Sequence, residues 1–145
     1  MQFWLVKSEP DAFSWDQQVL NKVEPWTGVR NHMAKNNLKA MKKGDRAFFY
    51  HSNIGKEIVG IVEVVREAYP DPSIEPGEKG DWVCVDMKAI KPVPEPVTLA
   101  ALKGDARFAD LALVRQSRLS VMPVSPEFWD LICGLGAVKS GRAKK

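Results

Sequence analysis

Apolar and polar positions along this chain recur at spacings that predict a mixture of short strands and short helices. Residues 2–7 (QFWLVK) read as an aromatic and branched strand, ended by the turn Ser8-Glu9-Pro10-Asp11. Ser14 with Gln17 makes a capping box for a helix over residues 15–20, with Trp15, Val19 and Leu20 as its apolar contacts. Residues 21–25 read as loop. Asn31 is the N-cap of a helix over residues 33–43, on which Met33, Ala34, Leu38 and Met41 form a buried stripe. Its other side gathers Lys35, Lys39, Lys42 and Lys43, and Gly44 follows as a left-handed cap. Residues 46–52 then form a strand that points Phe48, Tyr50 and Ser52 one way and Ala47, Phe49 and His51 the other.

After turn chemistry at residues 53–56, residues 57–65 (EIVGIVEVV) are the most strand-like run, with Gly60 marking a bulge, a corner or a close approach. Residues 69–81 are loop, and residues 82–90 alternate with Val83, Val85, Met87 and Ala89 inward. Pro92, Pro94 and Pro96 keep the next stretch extended. Thr98 caps a helix through Leu102, residues 108–114 form a second, and residues 118–124 form a strand. Ser125 and Pro126 start a last helix over residues 128–133, which Gly134 and Gly136 stop. Strands therefore begin near residues 3, 46, 57, 82 and 118. This is an α/β chain of the α+β kind: a mixed, mostly antiparallel sheet curled into an open barrel, with peripheral helices too short for a doubly wound sheet.

A length of 145 residues suits one domain, and 45% apolar with 27% charged residues places it among ordinary soluble globular chains. No apolar run approaches the ~20 residues of a membrane helix, and the N-terminus lacks a signal-peptide pattern. We therefore expect no membrane association and a cytoplasmic protein, nuclear in a eukaryotic source. Cys84 and Cys133 fall in segments that read as buried and, with only two His, form no metal-ligand set. No cofactor is expected. The net charge is only +3, but its distribution is uneven, with six Lys or Arg against one Asp between Arg30 and Arg46. Four more cations follow residue 138, in a tail over residues 139–145 expected to be disordered. Such segregation either builds a field for phosphate or amounts to a solvated helix face plus a tail.

Among candidate chemistry, no P-loop, dinucleotide turn or metalloprotease helix occurs. His51, between Tyr50 and Ser52, is the one histidine in a shaped context. It fits a hydrogen-bonded pocket or core position better than a catalytic base. Trp82 and Trp129 occupy core positions, and Trp15 packs its helix on the sheet. Trp4 and Trp26 are different, since one flanks Lys7-Ser8 and the other precedes Arg30-Asn31. An aromatic wall with Arg and Asn donors is what an unpaired base requires, although simple packing explains both rings as well. Arg118 either reaches that pocket or pairs with a carboxylate such as Asp86.

The strings WLVKSEP from Trp4, WTGVRN from Trp26, Gly44-Asp45, FYHS from Phe49, IVGI from Ile58, AYPD from Ala68 and RLSV from Arg118 closely resemble the EVE domain family. Seven motifs in order run from Trp4 to Val121, and the domain is expected over residues 1–138. The resemblance implies a PUA-like open pseudobarrel and a non-enzymatic module that binds DNA or RNA through one modified or unpaired base, modified cytosine above all. Carried onto matching positions, it assigns the pocket to Trp4, Lys7, Ser8, Trp26, Arg30, Asn31, Tyr50, His51 and Ser52. Lys35, Lys39, Lys42 and Lys43 are then the expected phosphate contacts, and Arg118 a further candidate. A stand-alone reader would need an effector protein partner. Trp15 departs from the family pattern, standing where an aliphatic residue is expected. The competing function is a nucleotide or small-molecule hydrolase using His51 as base.

Overall fold

The computed structural model describes residues 1–138; the expected tail over residues 139–145 lies outside them. Among the described residues six strands form one sheet: β1 (Phe3–Ser8), β2 (Val23–Pro25), β3 (Arg46–His51), β4 (Glu57–Pro70), β5 (Val83–Thr98) and β6 (Val121–Val124). Their order is β2-β5-β4-β3-β1-β6, with β1 parallel to β3 and the other neighbours antiparallel. The sheet is mixed, mostly antiparallel and open. The helices are α1 (Trp15–Asn21), α2 (His32–Ala40), α3 (Leu99–Lys103), α4 (Ala112–Arg115) and α5 (Pro126–Leu135), with a 3-10 turn at Ala106–Phe108.

The predicted caps form as read. Ser14 and Gln17 make the capping box of α1, while the Asn31, Thr98 and Ser125 side chains accept the free N–H groups of α2, α3 and α5. Each of these helices begins with a short polar side chain whose oxygen satisfies a donor that the helix itself cannot.

Several boundaries differ from the reading, for identifiable reasons. β2 occupies residues read as loop because it borrows its ladder from Asp86–Lys88 of β5. β5 continues through Pro92–Pro96, beyond the reach of β2 and at the β4–β5 register shift between Ile58 and Gly60, an irregularity of the kind where strand prolines are found. α2 stops at Ala40, and Lys42–Asp45 is a separate turn in which Gly44 takes φ 96°, so Gly44 is not the helix cap. The run 108–114 breaks into the 3-10 turn and α4, and the last strand starts at Val121 rather than residue 118.

Two aromatic clusters cover the two faces of the central strands. On one, Trp129 of α5 stacks against Phe48 and Phe3, with centroids at 4.0 and 4.4 Å. On the other, Phe49 meets Trp15 at 5.4 Å and Trp26 at 5.5 Å, both edge to face. The inward residues of α1 are Trp15 and Gln18; Val19 and Leu20, expected to pack, are exposed. Gln18 replaces them because its amide donates to the carbonyls of Lys22 and Met87, tying α1 to β5. On α2, Met33 is exposed and Lys35 buried, the reverse of the expected stripe, since Ala34, Leu38 and Met41 already fix the inward face.

Gly60, opposite Phe49 at the β3–β4 register shift, answers the question its position raised. A Cβ there would lie 2.5 Å from the Trp15 ring. Trp15, the departure from the family pattern, lies over a residue without a side chain. Gly60→Ala is therefore expected to lower stability by about 1–3 kcal/mol through overpacking. A urea midpoint equal to that of the parent protein would contradict this.

Candidate nucleic-acid interface

The parallel register sets Lys7 beside Tyr50 and Ser8 beside His51 at the C-terminal ends of β1 and β3. Side chains alternate across a sheet, so Tyr50 and Ser52 leave one face and His51 the other. The expected pocket is accordingly divided into adjoining hollows. The first, about 290 Å³, is lined by Lys7, Ser8, Phe13, Glu24, Trp26 and Thr27, among others. Trp26 is its aromatic wall, held edge-on by Phe49 and by Phe13 at 6.1 Å. The second, about 250 Å³, gathers Lys7, Tyr50 and Ser52 with Asn53, Lys56 and Lys103. A third, about 330 Å³, lies between Asn31 and Met33 on one side and Arg118 and Leu119 on the other. Of the two positions open to Arg118 the structure thus has it beside Asn31, while Asp86 accepts from the Tyr69 hydroxyl.

Lys7 joins the first two hollows. Its ammonium donates to the Ser117 carbonyl at 2.8 Å and stands 5.9 Å from the Tyr50 ring centre, and burial lowers its pKa. An ammonium has three protons to donate, so the Ser117 contact does not exhaust it. Tyr50 is itself buried, which raises the pKa of its hydroxyl and keeps it a neutral donor.

Other candidate residues serve the fold. Trp4 is buried at the start of β1, donates its indole N–H to Asp45 at 3.1 Å, and lines none of these three hollows. Arg30 is engaged by the loop between β4 and β5. Its guanidinium meets Glu78 at 2.6 Å and Asp71 at 3.1 Å, and these contacts, Glu78 first, raise its pKa. Asp71 also accepts from the Gly28 N–H at 2.9 Å, so the segment 26–31 is stitched to the loop between β4 and β5.

That loop also captures the helix lysines. Asp81 binds Lys35 at 2.7 Å and Lys39 at 2.9 Å, and the two ammonium groups hold its carboxyl well below the usual carboxylate range. Lys35 and Lys39 are therefore not free cations. Lys42 and Lys43 are exposed but sit in the turn after α2 rather than on its face. Trp82, expected in the core, is buried, and its ring packs beside this cluster, near His32, Lys35 and Arg30 at 5.0, 5.2 and 5.7 Å. Sequence reasoning placed the cations but could not see which acids the 71–81 loop would bring to them.

Sequence reasoning also passed over Phe13, Glu24 and Thr27 in the first hollow and Lys56 and Lys103 in the second. Phe13 had a usable signal, an apolar residue just before the N-cap Ser14. Glu24 had none, because its strand exists only through pairing with β5.

His51 has a defined task. Its Nε2 accepts the Trp15 N–H at 3.0 Å, which assigns the proton of the neutral ring to Nδ1 and makes the imidazole an acceptor for the start of α1. A nitrogen occupied in this way is not poised as a general base. Burial lowers the His51 pKa, opposed by Glu57 and Asp16. The folded state thus favours the neutral ring. Its contribution to stability is complete above the ordinary value of 6.5 and is lost as pH falls through 6.5 toward the lower folded value. The urea midpoint of the parent protein is expected to drop between pH 7 and pH 5. In His51→Gln, whose amide oxygen can accept the same N–H, that slope should flatten; identical slopes would show that His51 does not titrate with unfolding.

An open mixed sheet thus brings Lys7, Ser8, Tyr50 and Ser52 at the ends of β1 and β3 together with Glu24 and Trp26 from the edge strand β2 and its exit, an aromatic wall beside hydroxyls, a carboxylate and a shared lysine. The chain belongs to the EVE domain family, whose profile matches residues 2–135. It is similar to Rpa0253 from Rhodopseudomonas palustris, with 59% identity, a TM-score of 0.87 and 94% of each chain covered. It is 34% identical to human thymocyte nuclear protein 1 over 91% of this chain and 72% of that protein. The human THYN1 crystal structure in complex with DNA containing 5-methylcytosine superposes with a TM-score of 0.87 at 32% identity, covering 96% of this chain and 99% of that one.

Proposed function

We propose that this protein is a non-enzymatic reader of DNA that takes one modified cytosine out of its strand and holds it in the Trp26 hollow. The observation that carries the reading is the composition of that hollow: Trp26 as a stacking wall beside Lys7, Ser8, Thr27 and Glu24. A flipped base needs a face to stack on and polar atoms along its edge. Glu24 suits cytosine in particular, because a carboxylate accepts from its exocyclic amine. At about 290 Å³ the hollow is at the lower end of ligand sites, the scale of one heterocycle rather than a cofactor. The human relative bound to 5-methylcytosine DNA supports the same ligand class. His51 offers the hydrolase reading no support, since its Nε2 is committed to Trp15.

The reading extends to RNA carrying a modified or unpaired base, which presents the same kind of extruded ring, and to an effector protein recruited by the bound domain. It puts the protein wherever its nucleic acid is; thymocyte nuclear protein carries a nuclear location in its name. The test is a fluorescence-anisotropy titration of matched DNA and RNA oligonucleotides with cytosine or 5-methylcytosine at several salt concentrations. Tighter binding of the methylated DNA, weakening as salt rises, is expected. Equal affinity for both bases would remove the reader function.

A further inference from the structure

The second hollow has a chemistry of its own. Lys7, Lys56 and Lys103 converge on it together with Tyr50, Ser52 and Asn53, and no Asp or Glu lines it. Lys56 and Lys103 also line an adjoining hollow of about 410 Å³, again without a carboxylate. Among the described residues neither lysine has an ion-pair partner, in contrast to Lys35 and Lys39, which share Asp81. The nearest acid in sequence, Glu57, is paired across the ladder with His51 and acts on that ring, on the opposite face from Tyr50.

Lys56 is also held in place. Its backbone adopts φ 50°, a left-handed conformation uncommon for lysine, and its carbonyl accepts the Leu99 N–H at 2.8 Å, so the hairpin corner is pinned to the start of α3. Strained backbone fixed by tertiary contacts is common where a side chain has to be aimed.

We propose that the Lys7–Lys56–Lys103 hollow is a phosphate subsite that receives a phosphodiester of the bound strand, the one adjoining the base held by Trp26. This rests on the reader function and adds to it the path of the backbone. Lys7, common to both hollows, links base and phosphate. The Tyr50 and Ser52 hydroxyls and the Asn53 amide supply neutral donors to the phosphate oxygens. The strand therefore runs over the β3–β4 hairpin and α3, not along the lysines of α2.

The test uses Lys56→Gln/Lys103→Gln, two surface changes, with an unaltered melting temperature as the check on folding. Binding is titrated by anisotropy against single-stranded oligonucleotides at 50–300 mM salt, a range on the order of that which resolves counterion release. The slope of log K against log salt should become shallower by about 0.7, the value for one lost phosphate contact on a single strand. Methylated and unmethylated strands should lose affinity by the same factor. A methylphosphonate beside the modified base should weaken the parent protein by a larger factor than the double variant, in which Lys7 alone still faces that phosphate charge. An unchanged slope overturns the proposal, as does a loss confined to the methylated strand. Saturable binding of inorganic phosphate to these lysines without any change in the oligonucleotide slope would also overturn it, in favour of a small-anion site. If the parent protein shows no preference for 5-methylcytosine but the slope still falls in the double variant, the phosphate subsite stands and the base reading fails.

Discussion

Trp26→Ala is expected to erase the preference for 5-methylcytosine and to destabilise the protein by about 3–5 kcal/mol, the usual cost of truncating a buried tryptophan. Both effects follow from one ring. Trp26 is only 7% exposed, with Phe49 and Phe13 meeting it edge to face, yet it forms the wall of the Lys7–Ser8 hollow. Stacking of a base on one aromatic side chain contributes ~1–3 kcal/mol, so binding should weaken by roughly tenfold or more. A domain of this size has about 5–15 kcal/mol of stability in total, and the alanine variant must be titrated well below its melting temperature. Trp26→Phe separates the two roles, because a smaller ring retains much of the packing while offering less stacking area. The expected order of preference for the methylated base is Trp, then Phe, then Ala. Should Trp26→Ala remain folded and discriminate as well as the parent protein, the base does not bind in this hollow.

The division of the site shows what the sequence could and could not disclose. Each side chain's face on β3 was legible from simple alternation, and the structure keeps Tyr50 and Ser52 opposite His51. Placing all three in one pocket conflicted with that alternation. The parallel β1–β3 pair resolves it by carrying Lys7 to the shared rim of two hollows. Caps were legible because they are local: Ser14, Asn31, Thr98 and Ser125 each satisfy donors within three residues. The fates of Arg30, Lys35 and Lys39 were not, because their partners Asp71, Glu78 and Asp81 lie more than forty residues away along the chain. A cationic helix face in sequence became a surface ion-pair cluster once the 71–81 loop supplied its acids. β2 was hidden for a similar reason, since a three-residue strand has no periodicity to detect.

Asp71→Ala should carry the second large effect, a loss of about 3 kcal/mol accompanied by weaker binding of methylated DNA. The Asp71 side chain is fully buried. It accepts from the Gly28 N–H at 2.9 Å, from the Ser73 N–H and hydroxyl at 2.6 Å each, and from Arg30 at 3.1 Å. Alanine leaves these donors without their acceptor, at about 1–3 kcal/mol for each one that stays buried. Arg30 contributes less to the total, being partly exposed and still bonded to Glu78. Burial pushes the Asp71 pKa up, but the bonds from Ser73, Gly28 and Arg30 outweigh it and hold the carboxyl below its ordinary value of 3.8. Its stabilisation is therefore complete above 3.8 and is lost as pH falls through the lower folded value, so the stability gap between parent and variant should narrow in acid. Paired urea titrations at neutral and acid pH measure that gap, and a constant difference would mean that the carboxylate charge contributes nothing. Binding should suffer because Gly28, two residues from Trp26, takes φ 83° and is anchored through this carboxylate. Loosening it frees the stacking wall. A variant that loses stability but keeps full 5-methylcytosine preference would show that Trp26 is positioned by its contacts with Phe13 and Phe49 alone.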